Sequence, residues 1–240
     1  MQRYFALING GEAVLSKEDA HHLIDAARTK AKEKIEIVAE GGVYLAQVSS
    51  LSPLTIAVIS KIEEKRDADN EIILAFSLLK GDHNDLVVEK GTELGASAFV
   101  PFLCTRTIVK VEPGSEDGRL LRLRKIAKES SQQCRRGSIP EVSSYRTFSD
   151  VLTLEAPIRI LAYEELAGEN QTLLEAMSGL EKNQKVLILV GPEGGFTPEE
   201  AQKAKKAGFR FVSLGRRILR AETASIASLA LISAFSEANR

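Results

Sequence analysis

The chain has 240 residues, of which 44% are hydrophobic, and a formal net charge of −1. This length and apolar content are sufficient for a buried core, and the near-neutral charge argues against a protein that coats nucleic acid over its whole surface. No apolar run is long enough to span a membrane and no signal peptide precedes Tyr4, so we expect a cytoplasmic protein. Neither the cysteines nor the histidines have the spacing of metal ligands, so we expect no bound metal.

The first domain, residues 1–68, alternates short apolar strands with turn residues. Strands are predicted at 4–8, 13–15, 35–38, 44–48 and 54–62, and the Asn-Gly and Gly-Gly pairs between them are typical of tight β turns. One helix is predicted at 17–27, with Ser16 as its N-cap and Asp19 in the capping-box position. The pattern indicates a small β-barrel, followed by a charged, solvated linker at 63–70.

The second domain, residues 69–240, has the alternation of an α/β domain. Its strands are predicted at 72–79, 98–102, 158–162, 186–190 and 211–214. Its helices are predicted at 84–94, 119–133, 170–180, 198–207 and 222–238. The strands are apolar enough to lie in a mostly parallel sheet that is covered on both faces.

The helix predicted at 119–133 belongs to a basic stretch. Between Arg119 and Arg136 the chain has seven arginines and lysines, and its only acidic residue is Glu129. A basic face of this kind can neutralise RNA phosphates and release their counterions. A solvated helix surface is the alternative interpretation.

The loop at 191–195, Gly-Pro-Glu-Gly-Gly, directly follows an apolar strand. Downstream of it, Thr197 as N-cap, Pro198 and Glu200 have the pattern of a capped helix start. The glycines have no such local explanation, and they would let a ligand approach the main chain closely. The loop has neither the Gly-Lys-Ser/Thr of a phosphate-binding Walker loop nor the GxGxxG spacing of a dinucleotide fold. A plain turn remains the alternative.

A second candidate loop, residues 214–224, joins the last predicted strand to the last helix. It contains Arg216, Arg217, Arg220 and Glu222. Open α/β sheets bind ligands at the carboxyl ends of their strands, which is where these charges lie. The alternative is a surface loop in which arginine serves solubility.

Taken together, these segments resemble the RsmE-type ribosomal RNA uridine N3-methyltransferases of the SPOUT superfamily. The resemblance rests on residues 80–95, 191–198 and 214–224, and in the first domain it extends to residues 3–5, residues 21–23 and Arg28. It implies an α/β fold with a C-terminal SPOUT domain at 69–240, which has a mostly parallel sheet and a trefoil knot. It also implies a small N-terminal PUA-like β-barrel at 1–68 that binds RNA. The strand pattern alone does not reveal a knot.

The activity implied by the resemblance is S-adenosylmethionine-dependent methylation of N3 of a specific uridine in 16S ribosomal RNA, within the assembled small subunit. A homodimer is also implied, and the apolar face of the last helix at Ile226, Leu229, Ala230, Ile232 and Ser233 suits burial against a partner. Main-chain groups of three loops would hold the cofactor. The predicted cofactor-binding residues are Ala162, Tyr163, Glu164, Gly191, Glu193, Gly194, Gly195, Leu214, Gly215, Ile218, Leu219 and Arg220.

Methyl transfer from a sulfonium is an in-line displacement, so the protein must align the acceptor nitrogen and remove one proton. Arg220 is the predicted cation that stabilises the deprotonated imide, and Glu222 and Glu93 are the predicted proton acceptors or orienting groups. The alternative for Glu222 is that it only stabilises the N-terminus of the last helix, where a negative charge is favourable. The predicted phosphate contacts are Arg3, Arg28, Arg106, Lys110, Lys125, Arg135 and Arg136.

Two other functions remain open from the sequence. One is a SPOUT methyltransferase with another RNA target, such as a ribose 2′-oxygen of transfer RNA, which the N-terminal barrel disfavours. The other is a non-catalytic RNA-binding factor in ribosome assembly, which the intact glycines of the presumed cofactor loops disfavour.

Overall fold

The computed structural model describes residues 1–63, 67–166 and 172–238. The chain divides into two compact units. Unit 1 contains Met1–Asp67 together with a returning segment, Ser131–Ser138, and unit 2 contains Ala68–Ser130 and Ile139–Arg240. No sequence pattern predicted that residues 131–138 would pack with the first unit.

Unit 1 is a closed five-stranded barrel, as the sequence predicts. Its strands are β1 (Arg3–Asn9), β2 (Glu12–Leu15), β3 (Lys34–Ala39), β4 (Gly42–Leu51) and β5 (Leu54–Ile62), in the order β1-β2-β5-β4-β3. β1 pairs parallel with β3, and the other neighbours pair antiparallel. Alternate residues of a strand point to opposite faces, so Ile35, Ile37, Ala46 and Val48 all face the barrel interior.

The single helix predicted at 17–27 is shorter and irregular. Helix α1 spans Lys17–His21, and a π-helical turn follows at His22–Ala26. The predicted cap is present, since the Asp19 N–H donates to Ser16 Oγ at 3.1 Å and that hydroxyl donates to Asp19 Oδ2 at 2.6 Å. The π turn closes where the Ala27 N–H donates to the His22 carbonyl.

The returning segment 131–138 is held to the barrel by buried arginines. Arg3 Nε donates to Glu36 Oε2 at 2.9 Å, and Arg3 Nη1 donates to the Arg136 carbonyl at 3.3 Å. Arg136 is itself buried, and its Nε lies 3.0 Å from Asp67 Oδ1. Charges are buried only where such partners exist, so these contacts stabilise unit 1, while the RNA-binding role of Arg3 and Arg136 stays a prediction.

Unit 2 contains a seven-stranded sheet in which every neighbouring pair is parallel. The order is β12-β10-β11-β6-β7-β8, and β9 also pairs with β7. The strands are β6 (Glu71–Ser77), β7 (Ala98–Leu103), β8 (Glu141–Val142), β9 (Arg146–Thr147), β10 (Ile158–Ala162), β11 (Lys185–Val190) and β12 (Arg210–Val212). The predicted mostly parallel sheet is confirmed.

Helices cover both faces of this sheet. They are α2 (His83–Glu93), α3 (Gly118–Gln133), α4 (Phe148–Leu152), α5 (Leu173–Ala176), α6 (Pro198–Lys206) and α7 (Ala221–Ala238), with a 3₁₀ turn at Glu164–Leu166. Successive residues of β11 enter different core clusters: Ile188 packs with α7 on one face and Leu187 and Leu189 pack with Phe196 on the other. Burial on both faces explains why this strand is continuously apolar.

Several predicted elements differ from those observed. β8, β9 and α4 were not predicted, because segments of two to five residues have no clear period. The helix predicted at 170–180 is reduced to α5, and its first predicted residues lie outside the described part of the chain. In the predicted linker, residues 64–66 are likewise outside it, and Asn70 is buried, with Nδ2 donating to the Glu181 carbonyl at 2.6 Å.

The face of α7 that was predicted to meet a partner is partly used inside unit 2. Leu229 and Ile232 are fully buried in the core of that unit, so they do not remain available for a second chain. Within residues 1–63, 67–166 and 172–238, no helix combines the length and hydropathy of a membrane crossing, and no cluster of three potential metal ligands occurs. Cys104 and Cys134 are half-buried and form no disulfide.

Candidate functional site

A cavity of about 510 Å³ lies in unit 2 at the carboxyl ends of β10, β11 and β12. It is formed by the loops that follow these strands, at 163–164, 191–195 and 213–220. The three strands are neighbours in the sheet, and the carboxyl ends of neighbouring parallel strands meet at one edge, so their loops converge there. Its volume is in the range of small-molecule sites.

All twelve residues predicted to bind the cofactor line this cavity. The structure therefore brings together three chain segments that are far apart in sequence, from Ala162 to Arg220. The binding role of each residue remains a prediction. Additional lining comes from the apolar Val190, Pro192 and Ala224, and from Arg217, Ser213 and His83.

Gly195 is the glycine of this cavity with the strictest requirement. Its φ is +67°, a left-handed conformation that residues with a Cβ rarely adopt, and a Cβ there would overlap Glu164 Oε1. Gly194, in contrast, has no such φ, and a Cβ on it would lie 3.3 Å from Arg106 Cβ. The close packing of the Glu164 carboxylate against the Gly195 main chain depends on the missing side chain.

The 191–195 loop is held from outside by Arg106 and Lys80. Arg106 Nη1 donates to the Gly194 carbonyl at 2.7 Å and to the Phe196 carbonyl at 3.4 Å. The Lys80 N–H donates to Glu193 Oε1 at 3.1 Å. Arg106 was predicted to contact RNA, but its guanidinium lies on the loop that lines the cavity.

Glu200 ties the start of α6 to the turn after β7. It is buried, and its Oε1 accepts hydrogen bonds from the Thr105 N–H and the Thr105 hydroxyl, both at 2.8 Å. Its Oε2 accepts the Thr197 N–H at 2.9 Å, which completes the capping box predicted from sequence. The same carboxylate thus caps α6 and fixes the segment that carries Arg106.

Removing the Arg106 side chain should loosen the cofactor loop. We expect Arg106→Ala to weaken S-adenosylmethionine binding by about fivefold, since loss of a partly exposed, charged hydrogen-bond donor costs about 1 kcal/mol. Isothermal titration calorimetry measures this directly. Lys110→Ala removes an exposed charge from the same connection between β7 and α3 and should leave cofactor affinity unchanged. Equal affinities in the wild type and Arg106→Ala would contradict the expectation.

The predicted catalytic residues are separated by the structure. Arg220 and Glu222 both line the cavity, at the start of α7, where the Arg220 carbonyl accepts the Ala224 N–H at 2.7 Å. Glu93 does not line it: its Oε1 lies 2.9 Å from Lys90 Nζ at the other end of α2. The helix rises roughly 15 Å over the ten positions from His83 to Glu93. Glu93 therefore lies outside this cavity.

His83 lines the cavity and was not predicted. It is the first residue of α2, and its Nδ1 lies 3.6 Å from Glu222 Oε1. The connection from β6 to α2 reaches the site because β6 is the sheet neighbour of β11. The carboxyl ends of adjacent parallel strands lie at the same edge of a sheet, and this rule could have placed His83 at the site. Its use requires knowledge that β6 and β11 are neighbours, which the sequence does not give.

The cavity also contains a phenol that does not ionise near neutral pH. Burial raises the pKa of Tyr163 to about 12, and a hydrogen bond to Glu165 and the nearby carboxylates act in the same direction. Tyr163 therefore keeps its proton and acts only as a hydrogen-bond donor or a neutral acceptor.

The predicted RNA contacts fall into two groups. Arg28, Lys110 and Lys125 are exposed, and Lys125 Nζ lies 3.8 Å from Glu129 Oε1. Arg135 is half-buried, with Nη2 donating to the Met1 carbonyl at 3.3 Å, and Arg3 and Arg136 are buried, as described for unit 1.

Two other cations of the basic stretch are already neutralised by carboxylates. Arg122 Nε lies 2.7 Å from Asp85, and Arg124 Nη2 lies 2.6 Å from Glu116. Counting charges along the sequence therefore overstates the basic surface that is available to phosphates.

Comparison with known proteins identifies the family. The profile of the RNA methyltransferase domain matches residues 66–233. The ribosomal RNA small subunit methyltransferase E of Bacillus subtilis is 32% identical, over 97% of this chain and 96% of its own length. The chain belongs to the ribosomal RNA small subunit methyltransferase E family. The predicted family is thereby confirmed.

Solved structures of similar proteins agree with this assignment. The family member from Neisseria gonorrhoeae, crystallised with S-adenosyl methionine, is 26% identical and has a TM-score of 0.84, covering 98% of this chain and 97% of that chain. A putative methyltransferase from Legionella pneumophila with bound cofactor is 23% identical with a TM-score of 0.85, which shows the likeness of fold. The SPOUT fold class and S-adenosylmethionine as the cofactor, both predicted from the sequence, are confirmed at the level of the family.

Proposed function

We propose that this protein transfers a methyl group from S-adenosylmethionine to N3 of one uridine in the 16S RNA of the small ribosomal subunit. Membership of the family makes it a ribosomal RNA methyltransferase. The acceptor atom, the nucleoside and the assembled subunit as substrate are the proposal. The observation that supports it most directly is that a cation and a carboxylate, Arg220 and Glu222, line the same cavity as the predicted cofactor loops.

The residues of the cavity fit S-adenosylmethionine. Apolar side chains such as Leu214 and Leu219 can pack against an adenine, and the main chain of the glycine loop is accessible beside them. Carboxylates at Glu164 and Glu193 suit the positive groups of the cofactor. Among the described residues no lysine lines the cavity, unlike the phosphate sites of nucleotide-binding loops. When bound, S-adenosylmethionine supplies a methyl group on a positively charged sulfur.

The chain's own residues would make N3 of uridine a nucleophile. N3 carries a weakly acidic proton, and the nitrogen reacts poorly until that proton is removed. Glu222 would accept the proton, and the Arg220 guanidinium would stabilise the negative charge that spreads over the imide. Both residues lie at the N-terminus of α7, whose partial positive charge favours the same anion.

The target base must also leave its stack, because N3 is occupied in a paired helix. We propose that exposed cations of both units contact the RNA backbone while the base enters the cavity. Arg28, Lys110 and Lys125 are predicted contacts with exposed side chains, and Arg106 is exposed too but is hydrogen-bonded to the Gly194 carbonyl. The barrel of unit 1 would contribute Arg28, in keeping with the RNA-binding role predicted for the first domain.

Removing these three charges together should flatten the salt dependence of RNA binding. The logarithm of the RNA binding constant decreases linearly with the logarithm of the salt concentration. For the combined variant Arg28→Ala, Lys110→Ala and Lys125→Ala, we expect the magnitude of this slope to decrease by roughly two to three, because each lost phosphate contact removes about one released counterion. Binding to small subunits is measured over a salt series. The matched control removes three exposed lysines of α6, Lys203, Lys205 and Lys206, and should keep the slope. An unchanged slope in the first variant would place the RNA elsewhere.

The product identifies the acceptor atom. Small subunits and free ribosomal RNA from a strain that lacks this protein are incubated with the purified protein and isotopically labelled S-adenosylmethionine, digested to nucleosides and analysed by mass spectrometry. We expect label in 3-methyluridine, with assembled subunits as the better substrate. Label in a 2′-O-methylnucleoside would instead identify another SPOUT activity, and cofactor binding without label would indicate a non-catalytic assembly factor.

We further propose that the protein acts as a homodimer. Leu86 on α2 and Leu231 on α7 remain exposed, and these two helices pack together in unit 2. Sedimentation equilibrium at micromolar concentration should give twice the chain mass of 26.2 kDa. A single-chain mass at that concentration would contradict the proposal.

A further inference from the structure

We propose that His83 carries the reaction proton from Glu222 to solvent. The inference deepens the proposed function and rests on it, because the proton in question is the one that uridine N3, the proposed acceptor, carries before methylation. His83 would thus be a relay residue that acts through Glu222, and neither residue alone would complete proton removal.

The geometry of the pair supports this role. Both residues line the cavity, and His83 Nδ1 lies 3.6 Å from Glu222 Oε1. The Glu222 side chain is 11% exposed and the His83 side chain is 45% exposed, so the pair leads from an enclosed position to solvent. The distance exceeds a hydrogen bond by a few tenths of an ångström, which a small side-chain rotation closes.

The other two carboxylates of the described cavity, Glu164 and Glu193, lie against the loops that form its walls. Glu193 Oε1 accepts the Lys80 N–H, and the Glu164 carboxylate packs on the main chain of Gly195. Tyr163 is excluded as an acceptor of a full proton transfer because its hydroxyl keeps its own proton near neutral pH. Glu222 is thus the carboxylate of the described cavity that has a titratable, solvent-reaching neighbour.

The proton balance is simple. The N3–H bond breaks and its proton goes to a Glu222 oxygen, while the N3 electron pair forms the bond to the methyl carbon and the sulfur keeps the pair of the broken carbon–sulfur bond. Glu222 then passes the proton to the imidazole nitrogen of His83, and His83 releases a proton to water. The carboxylate is restored for the next turnover. The uracil bound in the cavity would limit direct proton exchange between water and the enclosed Glu222 carboxylate.

The test compares two substitutions of His83 by multiple-turnover methylation of small subunits at saturating cofactor, because the relay restores the Glu222 carboxylate between one turnover and the next. His83→Ala removes the imidazole, and His83→Gln keeps a side chain that can hydrogen-bond to Glu222 but cannot take up a proton. We expect both variants to be about tenfold slower than wild type, with unchanged affinity for S-adenosylmethionine. If His83 only holds Glu222 in place, His83→Gln should instead regain most of the wild-type rate.

The matched control lies in the same turn of α2. Asp85 pairs with Arg122 and does not line the cavity, so Asp85→Asn disturbs the helix start without touching the relay and should methylate at the wild-type rate. Thermal unfolding of all three variants confirms that they are folded. A slow Asp85→Asn variant would attribute the His83 defect to the helix and would overturn the proposal.

A substrate with a more acidic N3 separates proton removal from every other role. Subunits that contain 5-fluorouridine need less help to lose the N3 proton, so we expect the defect of both His83 variants to shrink from about tenfold to less than about threefold. A defect of unchanged size would overturn the proposal. If the wild-type protein forms no 3-methyluridine, the proposed function is wrong. If the wild-type protein forms 3-methyluridine and His83→Ala forms it at the same rate, only the relay is wrong.

Discussion

Replacing Arg220 with alanine should slow single-turnover methylation by roughly a hundredfold or more, because the guanidinium would no longer stabilise the charge that develops on the imide. Arg220 lines the cavity immediately before α7, two residues from Glu222. The predicted cofactor contact of Arg220 is made by its main chain, which alanine retains. Affinity for S-adenosylmethionine should therefore change little, and so should affinity for small subunits.

Arg216 provides a matched control for Arg220. It belongs to the same loop, is exposed and does not line the cavity, so Arg216→Ala removes the same charge from the same segment without reaching the reacting atoms. Quenched-flow measurement at saturating cofactor compares the two variants. A wild-type rate in Arg220→Ala would show that its guanidinium does not contribute to catalysis. An equal loss in Arg216→Ala would show that the loop contributes general charge and no catalytic group.

Substituting valine for Gly195 should weaken cofactor binding, with the dissociation constant for S-adenosylmethionine rising by roughly a hundredfold, or about 2.7 kcal/mol. A left-handed backbone costs a residue with a Cβ about 1–2 kcal/mol, and more for a β-branched one. The new side chain would also displace the Glu164 carboxylate from the cavity wall. Calorimetry measures the affinity, and circular dichroism checks that the variant is folded.

Gly114 provides a control that separates backbone strain from displacement of the Glu164 carboxylate. Its φ is +78°, also left-handed, but a Cβ on it would meet no atom within 4 Å, and it does not line the cavity. Gly114→Val therefore carries backbone strain alone and should lower thermal stability while keeping cofactor affinity. Undiminished affinity in Gly195→Val would mean that the loop is only a turn between β11 and α6.

Local sequence patterns predicted the parts of this structure that depend on a few neighbouring residues. The capping box of Thr197 and Glu200 and the unusual glycines of the 191–195 loop are of this kind. The parallel sheet followed from its alternation of apolar strands and helices. The family resemblance then located the cavity-lining residues of all three loops, although their individual binding roles stay predictions.

Contacts between distant parts of the chain could not be predicted in the same way. Glu200 was predicted as a cap, but its second oxygen binds Thr105, 95 residues earlier. Arg106 was predicted as a phosphate contact from its charge, and nothing in the sequence indicated that its guanidinium donates to carbonyls of another loop. The trefoil knot implied by the family is a property of the whole chain path, and it stays a prediction.

The returning segment of unit 1 has a consequence for synthesis on the ribosome. Arg3 donates to the carbonyl of Arg136, a separation of 133 residues, and unit 1 includes Ser131–Ser138. Domains usually fold as they emerge, N-terminal first, but here unit 1 acquires its last segment only after more than half of the chain has been translated. Long loop closures of this kind slow folding, so unit 1 stays incomplete, with the buried Arg3–Glu36 pair lacking the Arg135 and Arg136 carbonyls, until residue 138 leaves the exit tunnel.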